Sequence, residues 1–363
     1  MSAAHRESHS ALLQCVHYGS PRPIDAIMVA AGRPTRQLAP AVELAARLGC
    51  HLVAVCSGQV RSEGIAALAS EWPGLQWHSV HLPDGYDHPL LAFVSSRLAE
   101  VKDGRYGPMN TKRNIGLLLA RMLGWRTVLF LDDDIFDVPE ALVRRAAAGL
   151  GTLAAIGLAV FDWPDNSVVC HANRIGGPQQ DVFVGGSALL VDTTQQFSFF
   201  PKIYNEDWLF LFDWIAAARV GRVGSVRQSR YNPFEDPERA ASEEFGEVIA
   251  EGMIDLLHRH LPLVQLTDPD YWRTFLLRRR EFIGRAADRI TAQAQQPVHA
   301  AAQFALAAAE RRRSEVTPTW CVSYLQTWRI DAHVWAERIG ALNRVDRFSS
   351  ATAFLNLSGS LVS

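Results

Sequence analysis

The run Thr127-Val-Leu-Phe-Leu131 has the composition of a buried β-strand, and three carboxylates, Asp132, Asp133 and Asp134, follow it directly. Open α/β sheets take their ligands at the carboxyl ends of strands, which is where this cluster would lie. In extended geometry Asp132 and Asp134 share one face. Two acceptor-only groups on one face repel each other unless a cation lies beside them. Mg²⁺ or Mn²⁺, held by one or two carboxylates together with substrate phosphates, is the natural occupant. Such an ion would neutralise the charge that develops on a departing diphosphate. The alternative is a solvated acidic turn capping the next helix.

A second acidic pair, Glu206-Asp207, opens a helical stretch between Asn205 and Trp208. Carboxylates at a helix start serve as caps and dipole partners; a carboxylate there could also deprotonate an acceptor hydroxyl. Upstream, Gly185-Gly186-Ser187 either lets an acceptor approach the backbone or forms a bulge. Lys112-Arg113-Asn114 falls on the helix before the acidic strand, where its cations either touch phosphate or face solvent. Ala30-Ala31-Gly32-Arg33 and Ser57-Gly58 follow the first two strands; they could hold a base or ribose through backbone contacts, as residues of any βα turn could. The histidines form no HxH or HExxH pattern, and His258 and His260 read as surface residues. Trp320, Trp328 and Trp335 recur at helical spacing and read as packing residues, with room for a homo-oligomer contact through the C-terminal helices.

The elements that must position these groups follow from periodicity. Apolar runs at 24–31, 51–56, 76–82 and 127–131 alternate with helical stretches at 37–48 and 108–123. That rhythm predicts an α/β fold with a mainly parallel sheet covered on both faces. Helix 139–149, a run at 154–161, a strand at 182–191 carrying the glycine pair, and helix 208–218 come next. Helices at 243–260, 271–294, 300–313 and 322–342 complete the pattern. The expected organisation is a leader at 1–23, a catalytic domain at 24–260 divided near 135/136, a helical extension at 261–345, and a loose tail at 346–363.

Composition narrows the function classes. With 363 residues and 48% hydrophobic residues the chain can build a large core. A net charge of −2 offers no excess of cations for nucleic acid. Lysine is confined to Lys102, Lys112 and Lys202, and the arginine and alanine bias suits a GC-rich bacterial genome. Five widely spaced cysteines without a CxxC pair argue for a reducing, cytoplasmic compartment. No stretch approaches the roughly 20 apolar residues of a membrane span.

Taken together, the loop at Ala31–Arg33, Ser57, the Lys112-Arg113-Asn114 helix, Asp132-Asp133-Asp134, Gly185-Gly186 and Glu206-Asp207 resemble a GT-A fold glycosyltransferase, most similar to family 2. The resemblance covers roughly residues 24–235. It implies a GT-A (Rossmann-like) fold with a helical C-terminal extension, and a nucleotide-diphosphate sugar donor of UDP or GDP type. Ala31, Arg33, Ser57, Lys112, Arg113, Asn114, Asp132 and Asp133 would then border the donor, with Asp132–Asp134 as the DxD motif and Asp134 the direct metal ligand. Glu206-Asp207 would match the acidic pair whose aspartate is the base of inverting members. Gly185, Gly186 and Trp208 would flank the acceptor. A further metal position is expected in 219–236, where Asn232, Glu235, Asp236 or water could fill it. A sugar-1-phosphate nucleotidyltransferase is the alternative enzyme, since Ala30-Ala31-Gly32-Arg33-Pro34-Thr35-Arg36 resembles its glycine-rich opening. A non-catalytic scaffold of the same fold is the third reading.

Overall fold

The structure is a computed structural model and describes residues 8–99, 108–162, 167–178, 181, 183–293 and 296–362. In chain order the elements are β1 (Ala26–Ala31), α1 (Ala39–Leu48), β2 (His51–Cys56), α2 (Ser62–Ala69), β3 (Trp77–His81), α3 (Ser95–Leu98), α4 (Met109–Leu123), β4 (Thr127–Leu131) and β5 (Ile135–Phe136). They continue with α5 (Glu140–Gly149), β6 (Ala155–Val160), α6 (Val168–Ile175), β7 (Ala188–Asp192), α7 (Glu206–Ala216), β8 (Val220–Gln228) and α8 (Pro237–His258). The chain closes with α9 (Pro269–Thr291), α10 (Pro297–Glu315), α11 (Pro318–Gly340), α12 (Phe348–Phe354) and β9 (Ser358–Val362).

Local chemistry explains the boundaries. Strands β1 and β4 are buried along their whole length, so they read as continuous apolar runs without alternation. Helices α1 and α4 stop at Gly49 and Gly124, whose φ values of 69° and 71° suit a residue without a Cβ. Helices α8, α9 and α11 open on a proline after Asp236, Asp268 and Thr317, whose side chains accept a first-turn N–H.

The strands form one nine-stranded sheet in the order β5-β8-β6-β7-β4-β1-β2-β3-β9. The expectation of a mainly parallel sheet is corrected here: four of the eight described pairings are parallel (β1/β2, β1/β4, β2/β3, β6/β8) and four are antiparallel. The reversal arises because β7 inserts between β4 and β6 and runs against both. This has a consequence for the site. The parallel strands β1, β2 and β4 end at one sheet edge, and antiparallel β7 begins there, Leu131 pairing with Ala188. Strand β8 ends close by, with Gln228 opposite Ile135.

Strand β8 is absent from the sequence reading. Its valines at 220, 223 and 226 recur every third residue, because a register shift against β6 adds one residue near Gly224, whose φ is 55°. The expected strand at 182–191 is shorter, and Gly185-Gly186-Ser187 precedes it as loop. Residues 346–363, expected as a loose tail, contain α12 and β9, and β9 pairs antiparallel with β3 at the sheet edge. Part of the expected leader is also docked: Gln14 donates its N–H to the Val220 carbonyl at 2.8 Å, and Arg22 pairs with Asp192 at 2.9 Å.

Hydrophobic core lies on both sheet faces. One cluster joins β1, β2 and β4 to α1 and α5. The other runs without a break from Ala26 through α4, α7 and α8 to Leu357, across the expected boundary at residue 260. Trp328 and Trp335 are fully buried in that cluster, so their side chains serve packing within this chain and offer no subunit surface. Among the described residues no helix is long and apolar enough to cross a membrane.

Candidate active site

At the edge where β4 ends and β7 begins lies a cavity of about 600 Å³. Of the residues singled out from sequence, Arg33, Arg113, Asp132, Asp134, Gly185, Glu206 and Asp207 line it. Segments more than 170 residues apart in the chain therefore meet at one place, because the parallel ends and the antiparallel start share an edge.

The three aspartates have different tasks. Asp133 is buried and points back into the β1–α1 loop: its Oδ2 accepts the N–H groups of Gly32 at 2.7 Å and Arg33 at 2.8 Å. The loop is thus pinned to the strand end by a carboxylate. Asp134 accepts from Arg33 Nη2 at 2.9 Å and Gln228 Nε2 at 3.0 Å, both through Oδ2. Its Oδ1 is buried with no hydrogen-bond partner. Burial, reinforced by Asp132 and opposed by Arg33, raises the Asp134 carboxyl to about 6. Asp132 accepts from Arg113 Nη2 at 2.8 Å.

Arg113 is the joint between the two acidic clusters. Only 5% exposed, its guanidinium bridges Asp132, at the end of β4, and Glu206, at the start of α7. It lies flat against Gly186, where a Cβ would come within 2.6 Å of Arg113 Cζ. Gly186 is therefore small to admit the guanidinium, and its N–H donates to Asp207 Oδ2 at 2.5 Å. Gly185 is less confined, since a Cβ there would lie 3.0 Å from the same oxygen. Asp207 Oδ1 accepts the Trp208 N–H at 2.9 Å. Burial raises both Glu206 and Asp207 above the ordinary carboxylate range, with Arg113 opposing the shift in each. Asn205, in the left-handed region at φ 57°, turns the chain into α7 and donates to Glu247 Oε2 at 2.8 Å.

Of the other sequence candidates, Lys112, Asn114, Ser57 and Trp208 lie around the cavity without lining it. Lys112 Nζ donates to the Ala31 carbonyl, and burial holds its ammonium below the ordinary lysine range. Asn114 has both amide atoms on the Phe200 backbone, at 2.8 and 2.9 Å, and so fixes the segment before α7. Ser57 donates its N–H to the Ala31 carbonyl at 3.0 Å and lies beside Gly32. Trp208 is buried edge-on against Phe183 and His9, so it backs the Phe183 wall of the cavity.

Several lining residues escaped the sequence reading: Lys202, Tyr204, Gln228, Tyr231 and Arg239. Gln228 is the most direct of them through its contact with Asp134, and recognising β8 as a strand ending at this edge would have found it. Asn232, Glu235 and Asp236, which the sequence reading did name as candidates for a further metal position, also line the cavity. Asn232 Oδ1 accepts the Phe234 N–H at 3.0 Å, and Asp236 caps α8.

A hard divalent cation fits the donor chemistry in a limited way. The partnerless Asp134 Oδ1 and the adjacent Asp132 are oxygen ligands facing one space. Among the described residues no group of three or more His, Cys, Asp or Glu could hold a metal by itself. Water and substrate phosphate would have to complete the shell, as they commonly do for Mg²⁺.

No protein-family model matches the sequence, and no curated protein matches it. Among solved structures the chain is similar to the mannosyltransferase PcManGT from Pyrobaculum calidifontis in complex with GDP-Man and Mn²⁺. The two share 14% identity over 90% of this chain and 92% of that one, with a TM-score of 0.42. So slight a likeness carries no argument.

Proposed function

We propose that this chain is a metal-dependent glycosyltransferase that moves a sugar from a UDP- or GDP-type donor to an acceptor hydroxyl with inversion. The observation that carries the reading is the meeting of Asp132 and Asp134 with Glu206 and Asp207 around one cavity. Transfer needs two opposed functions, neutralisation of a leaving diphosphate and deprotonation of a nucleophile, and two separate carboxylate sets suit them.

In this reading the donor lies over Ala31–Arg33 and Ser57, with its phosphates toward Asp132 and Asp134. Mg²⁺ or Mn²⁺, when bound, supplies positive charge to the departing diphosphate. Arg33 is 47% exposed and can turn from Asp134 toward phosphate. Asp207 is the proposed base. Two backbone N–H groups fix its carboxylate, and burial brings its proton affinity closer to neutral pH, which favours base catalysis. Glu206, tied to Arg113, orients the acceptor or exchanges roles with Asp207.

Thermal-shift titration of UDP and GDP, with and without Mn²⁺, tests the donor half of this reading. Wild-type protein should gain stability with nucleotide and more with the ion, by mass action. In Asp134→Ala the extra gain from Mn²⁺ should vanish. An unchanged metal effect in that variant would refute the assignment.

A further inference from the structure

Asn205, the residue before the acidic pair, has a conformation that its own helix does not support. It is buried at φ 57° and ψ 36°, and its side chain makes no cap hydrogen bond to α7, although asparagine at a helix start ordinarily makes one. A residue other than glycine in this region persists only where its surroundings hold it. The hold comes from α8. Asn205 Nδ2 donates to Glu247 Oε2 at 2.8 Å. One position earlier, Gly246 meets the turn directly: a Cβ there would lie 2.6 Å from the Tyr204 nitrogen. Consecutive residues of α8 thus fix consecutive residues of the turn, one by close contact and the other by a hydrogen bond.

Glu247 is in turn held from its far side. It is 1% exposed, and its Oε1 accepts from Ser167 Oγ at 2.9 Å and Cys170 Sγ at 3.4 Å and lies 3.5 Å from Arg279 Nη1. Arg279, on α9, is fully buried and donates to both oxygens of Glu244, at 2.9 and 2.8 Å. One oxygen of Glu247 is therefore engaged by groups at the start of α6 and on α9, while the other reaches Asn205. A carboxylate tied at both ends in a dry interior has little freedom to turn, so it is a stiff anchor. Glu247 does not line the cavity, and its route to the chemistry runs through Asn205, which does. The dihedral angles at 205 decide where the next two residues point: Glu206 toward Arg113, and Asp207 toward the Gly186 N–H at 2.5 Å.

We infer that Glu247 is a positioning residue for the Glu206–Asp207 pair, acting through the left-handed turn at Asn205. The inference rests on the transferase reading for the chemical role of that pair, whereas the placement of the pair stands apart from it. If Glu247 served only the fold, through Arg279, a change at Asn205 that leaves Glu247 and Arg279 untouched would have no kinetic effect.

Four variants separate the links. Glu247→Met removes both oxygens at similar volume, and Glu247→Gln keeps an acceptor for Asn205 Nδ2. Asn205→Ala removes that donor and disfavours φ 57°, whereas Asn205→Gly removes it and takes φ 57° without steric cost. The kinetic readout is nucleoside-diphosphate release from UDP-glucose, UDP-N-acetylglucosamine and GDP-mannose with Mn²⁺, with kcat and KM taken separately. Stabilisation by UDP or GDP, matching wild type, verifies folding. A misplacement of about 1 Å can cost about 10²-fold in rate, so Glu247→Met and Asn205→Ala should lower kcat about tenfold or more and leave the donor KM within about twofold. Asn205→Gly should exceed Asn205→Ala in kcat by about fivefold or more, and Glu247→Gln should exceed Glu247→Met likewise. Crystal structures of Glu247→Met and Asn205→Ala should show residue 205 outside the left-handed region and the Gly186–Asp207 hydrogen bond broken. Should Glu247→Met fail to fold, the two Asn205 variants decide, since they leave Glu247, Glu244 and Arg279 in place. Equal kcat in those two variants, a loss carried by KM, or an unmoved residue 205 with the Gly186–Asp207 bond intact would each overturn the inference. No nucleoside-diphosphate release by wild type from any of the three donors would refute the transferase reading instead, and the crystal structures alone would then decide whether Glu247 positions the pair.

Discussion

Replacing Arg113 by methionine tests the joint between the two acidic clusters. The guanidinium is 5% exposed and bridges Asp132 and Glu206, each 15% exposed. Methionine keeps much of the volume and removes the charge, so two carboxylates lose their cation in a largely dry space. Breaking a buried pair from one side costs about 3–5 kcal/mol. Because both carboxylates retain some contact with water, the lower end, about 3 kcal/mol, is expected at pH 8. The penalty must also depend on pH. Burial already raises Glu206, and Arg113 is the first influence opposing that shift. Without it the folded carboxyl binds its proton more tightly still, while the unfolded value stays near 4.3. A folded pKa raised above the unfolded one contributes stability at low pH that is lost as pH rises through the folded value. The variant's deficit should therefore shrink toward pH 5.5 and grow toward pH 8, by up to about 1.4 kcal/mol per unit of extra shift. Urea denaturation followed by tryptophan fluorescence at the two pH values measures both effects. Adding Glu206→Gln to Arg113→Met should recover about 1 kcal/mol or more at pH 8, since it removes one stranded charge. A deficit below 1 kcal/mol, or one that is the same at both pH values, would refute the bridging role.

Three further outcomes are expected. Asp207→Asn should lower kcat by about 10²–10⁴ with little change in nucleotide affinity; near-normal turnover, or product of retained configuration by NMR, would remove the inverting base. His171 is held down to about 3 by burial, with Arg239 and Arg174 adding, whereas an unfolded imidazole titrates near 6.5. The unfolded chain thus binds the extra proton first, and this contribution, complete above pH 6.5, falls by about 1.4 kcal/mol per unit as pH drops toward 3. His171→Gln should lose that part of the slope, about 2 kcal/mol between pH 7 and pH 5, and equal slopes in variant and wild type would contradict it. Truncation after His260 should abolish cooperative unfolding, because it strips Arg279 from fully buried Glu244 and Trp272 from Gly252. A cooperative transition by calorimetry in the truncated chain would show that the core closes without those helices.

Much of the site was legible locally. Asp132-Asp133-Asp134 follow a strand whose bounds, Thr127–Leu131, match the apolar run, since a fully buried strand writes its own length in hydrophobic residues. The pair Glu206-Asp207 at a helix start was readable for a similar reason: acidic residues suit the first turn of a helix through its dipole, which is a local effect. Division of labour among the aspartates was not legible. Nothing in the triplet says that Asp133 turns back to the Gly32 and Arg33 N–H groups while Asp134 keeps an oxygen without a partner. Arg113 read as a phosphate contact or a solvated cation, and its burial between two carboxylates depends on residues 19 and 93 positions away. Strand β8 was hidden because a bulge at Gly224 changes its apolar period from two to three.

The sequence by itself determined the alternation of strands and helices, the acidic end of β4 and the acidic start of α7, because periodicity, capping and burial of a single element act over a few residues. Tertiary structure alone decided that β7 runs against β4, which brings Gly185-Gly186 and then Glu206-Asp207 to the edge where Asp132–Asp134 end. It also decided that the helices past residue 260 share one core with the sheet, and that the C-terminal residues add a strand to its edge. Strand direction and helix docking depend on which apolar faces fit together across long stretches of chain, and that fit has no local signature.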